Sequence, residues 1–406
     1  MKKYILAALF CGTFTFCSCS GFLDEVPKGQ ITTESYYRTE QHAISATNAI
    51  YNYLIMGYSP GGLWDKNYGG VFYNDYWVLQ DLFSDNANSQ QASIQYTSVD
   101  NMQIDQYNEP VELLWRDFYQ TIKCCNVVID KVFRGMMYFD LIRMFGDVPL
   151  REHNLESADE GSMVRVSKDE IYKLIFEDLI TAETDLKYSP RYGGGRPYPE
   201  SASALLARVY LTYAAEHNDT EYYELAVKKA DAVIPKFPML ENYADLFKIS
   251  NRFNSEIIWG ANFSASLSDG WAGAQFLVRL LPNMDGVDNA QGWESATENL
   301  YSSFNANDAR LPVVLKRSVT YQDGTVKQFA EPYVFKYWDQ EAEPKGNSTD
   351  AIFPAIRTAE MYLIKAEALN AINQGPTPDA VKAIKKVRDR AGLASDNLPT
   401  DYEGFK

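Results

Sequence analysis

Ala226-Val227-Lys228-Lys229-Ala230-Asp231-Ala232-Val233-Ile234 is echoed at Ala380-Val381-Lys382-Ala383-Ile384-Lys385-Lys386-Val387-Arg388. Each stretch follows another segment of helical periodicity. Residues 201–215 place Ala204, Ala207, Leu211 and Ala214 on one face, and residues 358–372 do the same with Met361, Ile364, Ala368 and Ile372. A polar turn separates the first pair, and Gly375-Pro376 separates the second. Alanine at packing positions lets paired helices approach closely, and units of about 34 residues are the length of tetratricopeptide-like repeats. The pattern predicts a mainly α chain built on tandem helix–turn–helix repeats, 201–234 and 358–391 being the clearest. Such units bury their apolar faces only against neighbours, so the repeats are scaffold.

Between the two units, residues 236–353 change character. Asn242 to Phe247, Glu256 to Asn262 and Pro332 to Trp338 mix short strand-like runs with Gly, Asn, Asp and Ser. A long irregular region packed on a helical base is where binding residues concentrate. Toward the N-terminus, Val111, Leu114, Trp115, Phe118, Ile122 and Val127 mark another helix, and Ala43, Ala46, Ile50 and Leu54 mark one from Glu34 to about Met56. Residues 57–70 form a loop rich in glycine, proline and aromatics.

The first residues set the compartment. Lys2 and Lys3 precede an apolar run of thirteen residues, Tyr4 to Phe16. A membrane-spanning helix needs about 20 apolar residues, so this run reads as a signal peptide over 1–18. Ser18 before Cys19 has the form of a bacterial lipobox, which makes Cys19 the acylated first residue of the mature chain. Residues 19–33 then read as a lipidated tether and 34–406 as one domain. Of the five cysteines, only Cys124 and Cys125 remain in the body. Neighbours on a helix point apart and cannot form a normal bridge, so they are expected as buried apolar residues.

A net charge of −16 disfavours nucleic acid and anionic membrane surfaces as partners. His42, His153 and His217 lie far apart, without metal-ligand spacing. There is no Gly-x-Ser-x-Gly elbow, no His-Glu-x-x-His and no Gly-rich phosphate loop. No catalytic activity, cofactor or metal is expected.

Several segments, in order along the chain, resemble the SusD/RagB family of outer-membrane lipoproteins. They are Phe22-Leu23-Asp24-Glu25-Val26-Pro27; Tyr138-Phe139-Asp140-Leu141 with Phe145-Gly146-Asp147-Val148-Pro149; Ala204 to Tyr210; Asn254-Ser255-Glu256-Ile257-Ile258-Trp259; Asn305 to Arg310; and Ile356-Arg357 through Glu360-Met361-Tyr362-Leu363-Ile364 to Glu367-Ala368. The resemblance implies a lipid-anchored helical protein facing the cell surface. It would capture oligosaccharides and deliver them to a SusC-like TonB-dependent transporter. Peptide capture by the same architecture, a tetratricopeptide-type protein-binding scaffold and a surface glycosidase are the competing readings. Two departures stand out. Lys131-Val132 runs straight into Phe133-Arg134-Gly135 where the family has a loop, so a turn near 132 is expected to be missing, with Gly135 the only breaker. The chain also stops at Lys406, short of the family's usual C-terminal segment.

Sugar recognition in water relies on aromatic faces against C–H groups, with amides and carboxylates taking the hydroxyls. The richest stretch is 63–77, with Trp64, Asn67, Tyr68, Tyr73, Tyr76 and Trp77 as ligand candidates and Trp64 first among them. Trp271 and Trp293, each beside a glycine, are candidates in the irregular region. Trp115, Trp259 and Trp338 lie in regular patterns and are expected in the core.

Overall fold

In the computed structural model, residues 38–55, 70–73, 75–90, 93–128, 130–154, 164–187, 195–264, 280–285, 287, 290–341 and 349–406 are described. The chain divides into units 1–45 and 46–406, and of the first only the opening of one helix is described. The signal segment, Cys19, the tether, Trp64, Asn67, Tyr68 and Trp271 lie outside the described residues.

Helices are α1 (Glu40–Ile55), α2 (Asp75–Leu82), α3 (Ile94–Asp100), α4 (Glu109–Val128), α5 (Lys131–Phe145), α6 (Lys168–Asp185), α7 (Pro199–His217), α8 (Thr220–Val233), α9 (Glu298–Ser303), α10 (Leu311–Val314), α11 (Thr358–Asn373), α12 (Pro378–Arg390) and α13 (Tyr402–Phe405). Strands are β1 (Ala87–Ser89), β2 (Val148–Pro149), β3 (Arg165–Val166), β4 (Ile257–Asn262), β5 (Glu294–Ala296), β6 (Leu315–Thr320), β7 (Val326–Val334) and β8 (Ile352–Arg357). They pair antiparallel in twos: β1 with β5, β2 with β3, β4 with β8 and β6 with β7.

The long helices stack in a row, α4 on α5, α5 on α6, α6 on α7, α7 on α8, α8 on α11 and α11 on α12. Both units expected from the sequence are therefore helix pairs, and the irregular region leaves the row after α8 and returns to it at α11. The two hairpins use the same turn chemistry. Asn218 (φ +54°) and Gln374 (φ +48°) take the left-handed conformation, and Asp219 or Thr377 then caps the next helix through its side chain.

The expectation of a missing turn near 132 does not hold. Asp130 stops α4 and caps α5, its carboxylate accepting from Phe133 N at 3.1 Å, so two helices form where a missing turn implied one long helix or a disrupted repeat. Gly135 is not a breaker. It lies inside α5, where a Cβ would stand 3.0 Å from Leu179 Cδ2, so it admits α6 at close range. Cys124 and Cys125 are free thiols, half-buried and buried respectively, and burial pushes the Cys125 thiol well above its usual range.

The described signature segments around 138–141 and 256–259 are scaffold. Tyr138, Phe139, Asp140 and Leu141 are buried on α5, and Asp140 pairs with Arg143 at 2.5 Å. Arg134 grips Asp178 with two bonds of 2.7 Å, joining α5 to α6. Arg208 on α7 grips Glu360 on α11 at 2.5 and 2.6 Å. Trp259 fills the main core beside Phe133 and Phe72, as its strand context predicts. Trp115 and Trp338 are half-buried and pack on cores, the latter on a small second cluster of Leu281, Met284, Val287, Val319 and Phe335.

Glu256 is wholly buried just before β4. It accepts from Arg357 at 3.1 Å, from Arg390 at 2.5 Å and from Leu240 N at 3.1 Å. One carboxylate thus ties the strand to the start of α11 and the end of α12. Removing one partner of such a buried cluster strands the remaining charges, so Glu256→Gln should lower stability by about 3 kcal/mol in urea unfolding. Removing the exposed Lys385–Asp389 pair on α12 should cost no more than about 0.5 kcal/mol.

Candidate functional site

Helix α2 presents Tyr76, Trp77, Gln80 and Asp81 to a cavity of about 330 Å³. The β1–β5 ladder, with Ala87 opposite Ala296 and Ser89 opposite Glu294, supplies another wall through Glu294, Ser295 and Ala296. Lys336 and Tyr337, just past β7, and Phe353 on β8 complete it. The rings come from an apolar helix face and from strand residues, and the polar groups enter between them.

Two atoms in this lining are notable. Trp77 Nε1 and Glu294 Oε2 are both buried and have no hydrogen-bonding partner, although their residues are only 6% and 2% exposed. Each is a buried polar atom in the wall of the cavity, closed to water, and such a group left without a partner costs free energy.

Charge in the cavity is balanced around a carboxyl pair. Burial, the Asp81 charge and the hydrogen bond between them push the Glu294 carboxyl well above the usual range. Burial raises Asp81 as well, while its bond to Glu294 holds it down, so Glu294 keeps the shared proton to higher pH. Asp81 as a residue is exposed at the cavity mouth, with its carboxyl turned to Glu294. Burial brings Lys336 down to about 8, opposed by the Asp81 charge. Tyr76 is pushed up to about 12, first by burial and then by Asp140. Carboxyls in hydrogen-bond contact cannot straddle a glycosidic bond, whose hydrolysis needs them about 5 Å or more apart. The pair suits holding hydroxyls.

Beside the cavity, Trp293 stands one residue before Glu294. Its half-exposed ring lies 4.7 Å from that of Tyr96 on α3, and its Nε1 donates to Gln291 at 2.5 Å. Gln90 locks this ledge to the ladder, donating from N to Trp293 O at 2.7 Å and from Nε2 to Ser295 Oγ at 2.8 Å. Ring faces and side-chain amides thus meet at one place.

Of the residues expected from sequence, the structure brings Tyr76 and Trp77 into the cavity lining, while Trp293, one residue before Glu294, is outside that lining and packs against Tyr96. Tyr73 does not join them. It sits in a tight turn, its N–H donating to Gly70 O at 2.8 Å, and is 4% exposed, so its ring is a packing group with no face for a ligand. Trp77 borders the cavity, with its ring buried in the main core. Sequence reasoning passed over Tyr96, Gln80, Asp81, Glu294 and Lys336. Only Lys336 left a signal, a lone cation in the apolar run Tyr333 to Trp338.

The shared proton has a consequence for stability. A carboxyl whose folded pKa lies above its unfolded value stabilises fully below the unfolded value and loses that contribution as pH rises through the folded one. Buried Asp117 and half-buried Asp130, each pushed up from 3.8 to about 6 by desolvation, act in the same sense. The melting temperature should therefore climb as buffer is taken from mildly alkaline to mildly acidic pH. Glu294→Gln should flatten that climb; an unchanged slope would show that the pair shares no proton.

Comparison with known proteins completes the picture. Residues 289–402 match the model described as "SusD family", and residues 22–211 match that described as "Starch-binding associating with outer membrane". SusD-like proteins P25 and P2 of Formosa agariphila are each 24% identical to the chain, covering 97% and 98% of it and 83% of their own lengths. A SusD superfamily protein from Parabacteroides distasonis superposes with a TM-score of 0.76 at 23% identity, over 93% of this chain and 84% of its own. A laminarin-binding SusD-like protein gives 0.73 at 22% identity, over 91% and 87%.

Proposed function

We propose, for a chain that belongs to the SusD/RagB family, that it captures neutral oligosaccharides at the outer-membrane surface and passes them to a TonB-dependent transporter. The observation that carries this reading is the Trp293–Tyr96 ledge, next in the chain to a cavity whose lining includes Gln80, Asp81 and Lys336. A sugar's hydroxyls are already satisfied by water, so hydrogen bonds alone yield little net gain. Burying a C–H face on an indole adds about 25 cal/mol per Å². The ledge supplies that face, and the cavity holds donors and acceptors for a hydroxylated end. Laminarin binding by one structural neighbour and the xylogluco-oligosaccharide complex of another support this class of ligand.

Anchoring is assigned to Cys19, and Trp64 and Trp271 are kept as further platforms. None of the described helices is long and apolar enough to cross a membrane, and acylation would hold the protein at the surface. Outer-membrane association in the description of the matched family agrees with that assignment.

Calorimetry on the full chain with laminari- and xylogluco-oligosaccharides tests the reading. Trp293→Ala should weaken binding at least about tenfold, or about 1.4 kcal/mol, with the helical melt unchanged, and Trp64→Ala should act in the same direction. Affinity should be nearly independent of salt, because neutral sugars present no charge to screen. Wild-type affinity in Trp293→Ala, or binding of peptides in place of glycans, would overturn it. Separately, Cys19→Ala should move the protein from the membrane to the soluble fraction and abolish fatty-acid labelling.

A further inference from the structure

Lys336 belongs to two cavities. Besides the one already described, it lines a second of about 270 Å³ with Phe247, Lys316, Phe335, Trp338 and Asp339. Lys316 lies at the start of β6, and the others from Phe335 onward follow β7. We infer that this second cavity binds one anionic group, a carboxylate or sulfate, carried by a saccharide. Such a site rests on the proposed glycan capture only for the class of ligand.

Two ammonium groups set its character. Among the described residues, Lys316 and Lys336 make ring contacts but no ion pair or hydrogen bond. Lys316 Nζ stands 5.5 Å from the centroid of Phe335, and Lys336 Nζ stands 5.3 Å from that of Phe247 and 5.0 Å from that of Tyr337. The carboxylates of the lining are engaged elsewhere. Asp339 accepts from Ile249 N at 2.9 Å and from Glu341 N at 3.2 Å. At the exposed rim, Lys248 lies 2.8 Å from Asp245, and Asp245, then Glu341 and Asp339, hold its ammonium above the usual range. Burial acts on the other two lysines. It lowers Lys316, and it brings Lys336 down to about 8, with Arg357 adding to that shift and Asp81 opposing it. Two desolvated cations in one lining, neither with a counter-charge in contact, are an arrangement that a bound oxyanion would complete.

The rest of the lining selects what carries the anion. Phe247 and Trp338 are half-buried, and Trp338 packs with its ring centroid 5.7 Å from that of Phe335. These rings offer apolar faces to the C–H groups of a sugar, and the Gln340 amide in the same lining suits its hydroxyls. An inorganic anion would leave the rings unused, and a neutral sugar would leave both ammonium groups unmatched. Nucleic acid and anionic membrane are disfavoured by the net charge of −16 around so small a cavity. Trp293, Tyr96 and Glu294 lie outside this lining, and Lys316 lies outside the first, so the two sites can be perturbed separately.

Calorimetry on the full chain tests this with oligogalacturonate, a sulfated galacto-oligosaccharide, its unsulfated counterpart, inorganic sulfate and a polyglutamate peptide. At least one of the two anionic saccharides should bind at least about tenfold more tightly than each of the other three. Lys316→Met, which keeps an unbranched stem over Phe335, should weaken that binding at least about tenfold, while Lys316→Arg should keep it within about threefold. Trp293→Ala should leave it unchanged. Laminari- and xylogluco-oligosaccharide binding, measured on the same Lys316→Met protein, should match wild type, which keeps a failure here distinct from a failure at the ledge. Should Lys316→Met not fold, footprinting of the wild type decides: saturating anionic saccharide should slow acetylation of Lys316 and Lys336 and leave that of exposed Lys123 unchanged. The inference is overturned by no anionic saccharide binding, by equal affinity for the neutral sugar, sulfate or polyglutamate, by wild-type affinity in folded Lys316→Met, by loss in Trp293→Ala, or by unprotected Lys316.

Discussion

A carboxylate removed from water must be matched completely, and the architecture depends on how this is done at Glu256. Its oxygens are met by two guanidinium groups and a backbone N–H from three separate places in the chain. Desolvating one carboxylate and two cations is recovered only with near-ideal geometry. That geometry exists only when β4, the start of α11 and the end of α12 are all in register. The arginine–carboxylate clamps between α5 and α6 and between α7 and α11 impose the same condition on the rest of the row. Apolar packing makes the repeats compact, and the charged clamps make the arrangement unique.

Scaffold and recognition are segregated. Among the described residues, Tyr138 to Leu141, Glu256 to Trp259 and Glu360 of the family-like segments are buried or engaged in clamps, so they say how the chain folds and little about what it holds. The groups suited to ligand lie on short elements attached to the row: α2, α3 and the β1–β5 ladder, with the start of β6 and the segment after β7. Function can therefore change without disturbing the fold, since the side chains that would change carry no clamp.

The repeats were legible because a three- and four-residue apolar rhythm is a local property of the chain. The motif around Glu256 was legible as a pattern, but its purpose was not, since its partners lie 101 and 134 residues away. The break between α4 and α5 was misread for a physical reason. Val127, Val128, Val132 and Phe133 continue an apolar rhythm across it without glycine or proline, and a single capping aspartate at 130 outweighs them. Tyr76, Trp77 and Trp293 could be named as aromatics in a loop setting. Their companions Asp81, Glu294 and Lys336 become a group only when three distant segments meet.

The pairing of β4 with β8 sets Asn262 opposite Ile352, and Phe263 N continues the ladder to Ala351 O. The two ends of the intervening stretch are thus fastened side by side before anything within it is decided. Lengthening a loop whose ends are already closed is cheap, about 0.6 kcal/mol for each doubling of its length. This seam acts as a socket: an exposed turn within it, such as 322–325 between β6 and β7, can be lengthened while the helical row registers almost no change. Diversification by insertion, and engineering by loop grafting, both have their natural entry point there.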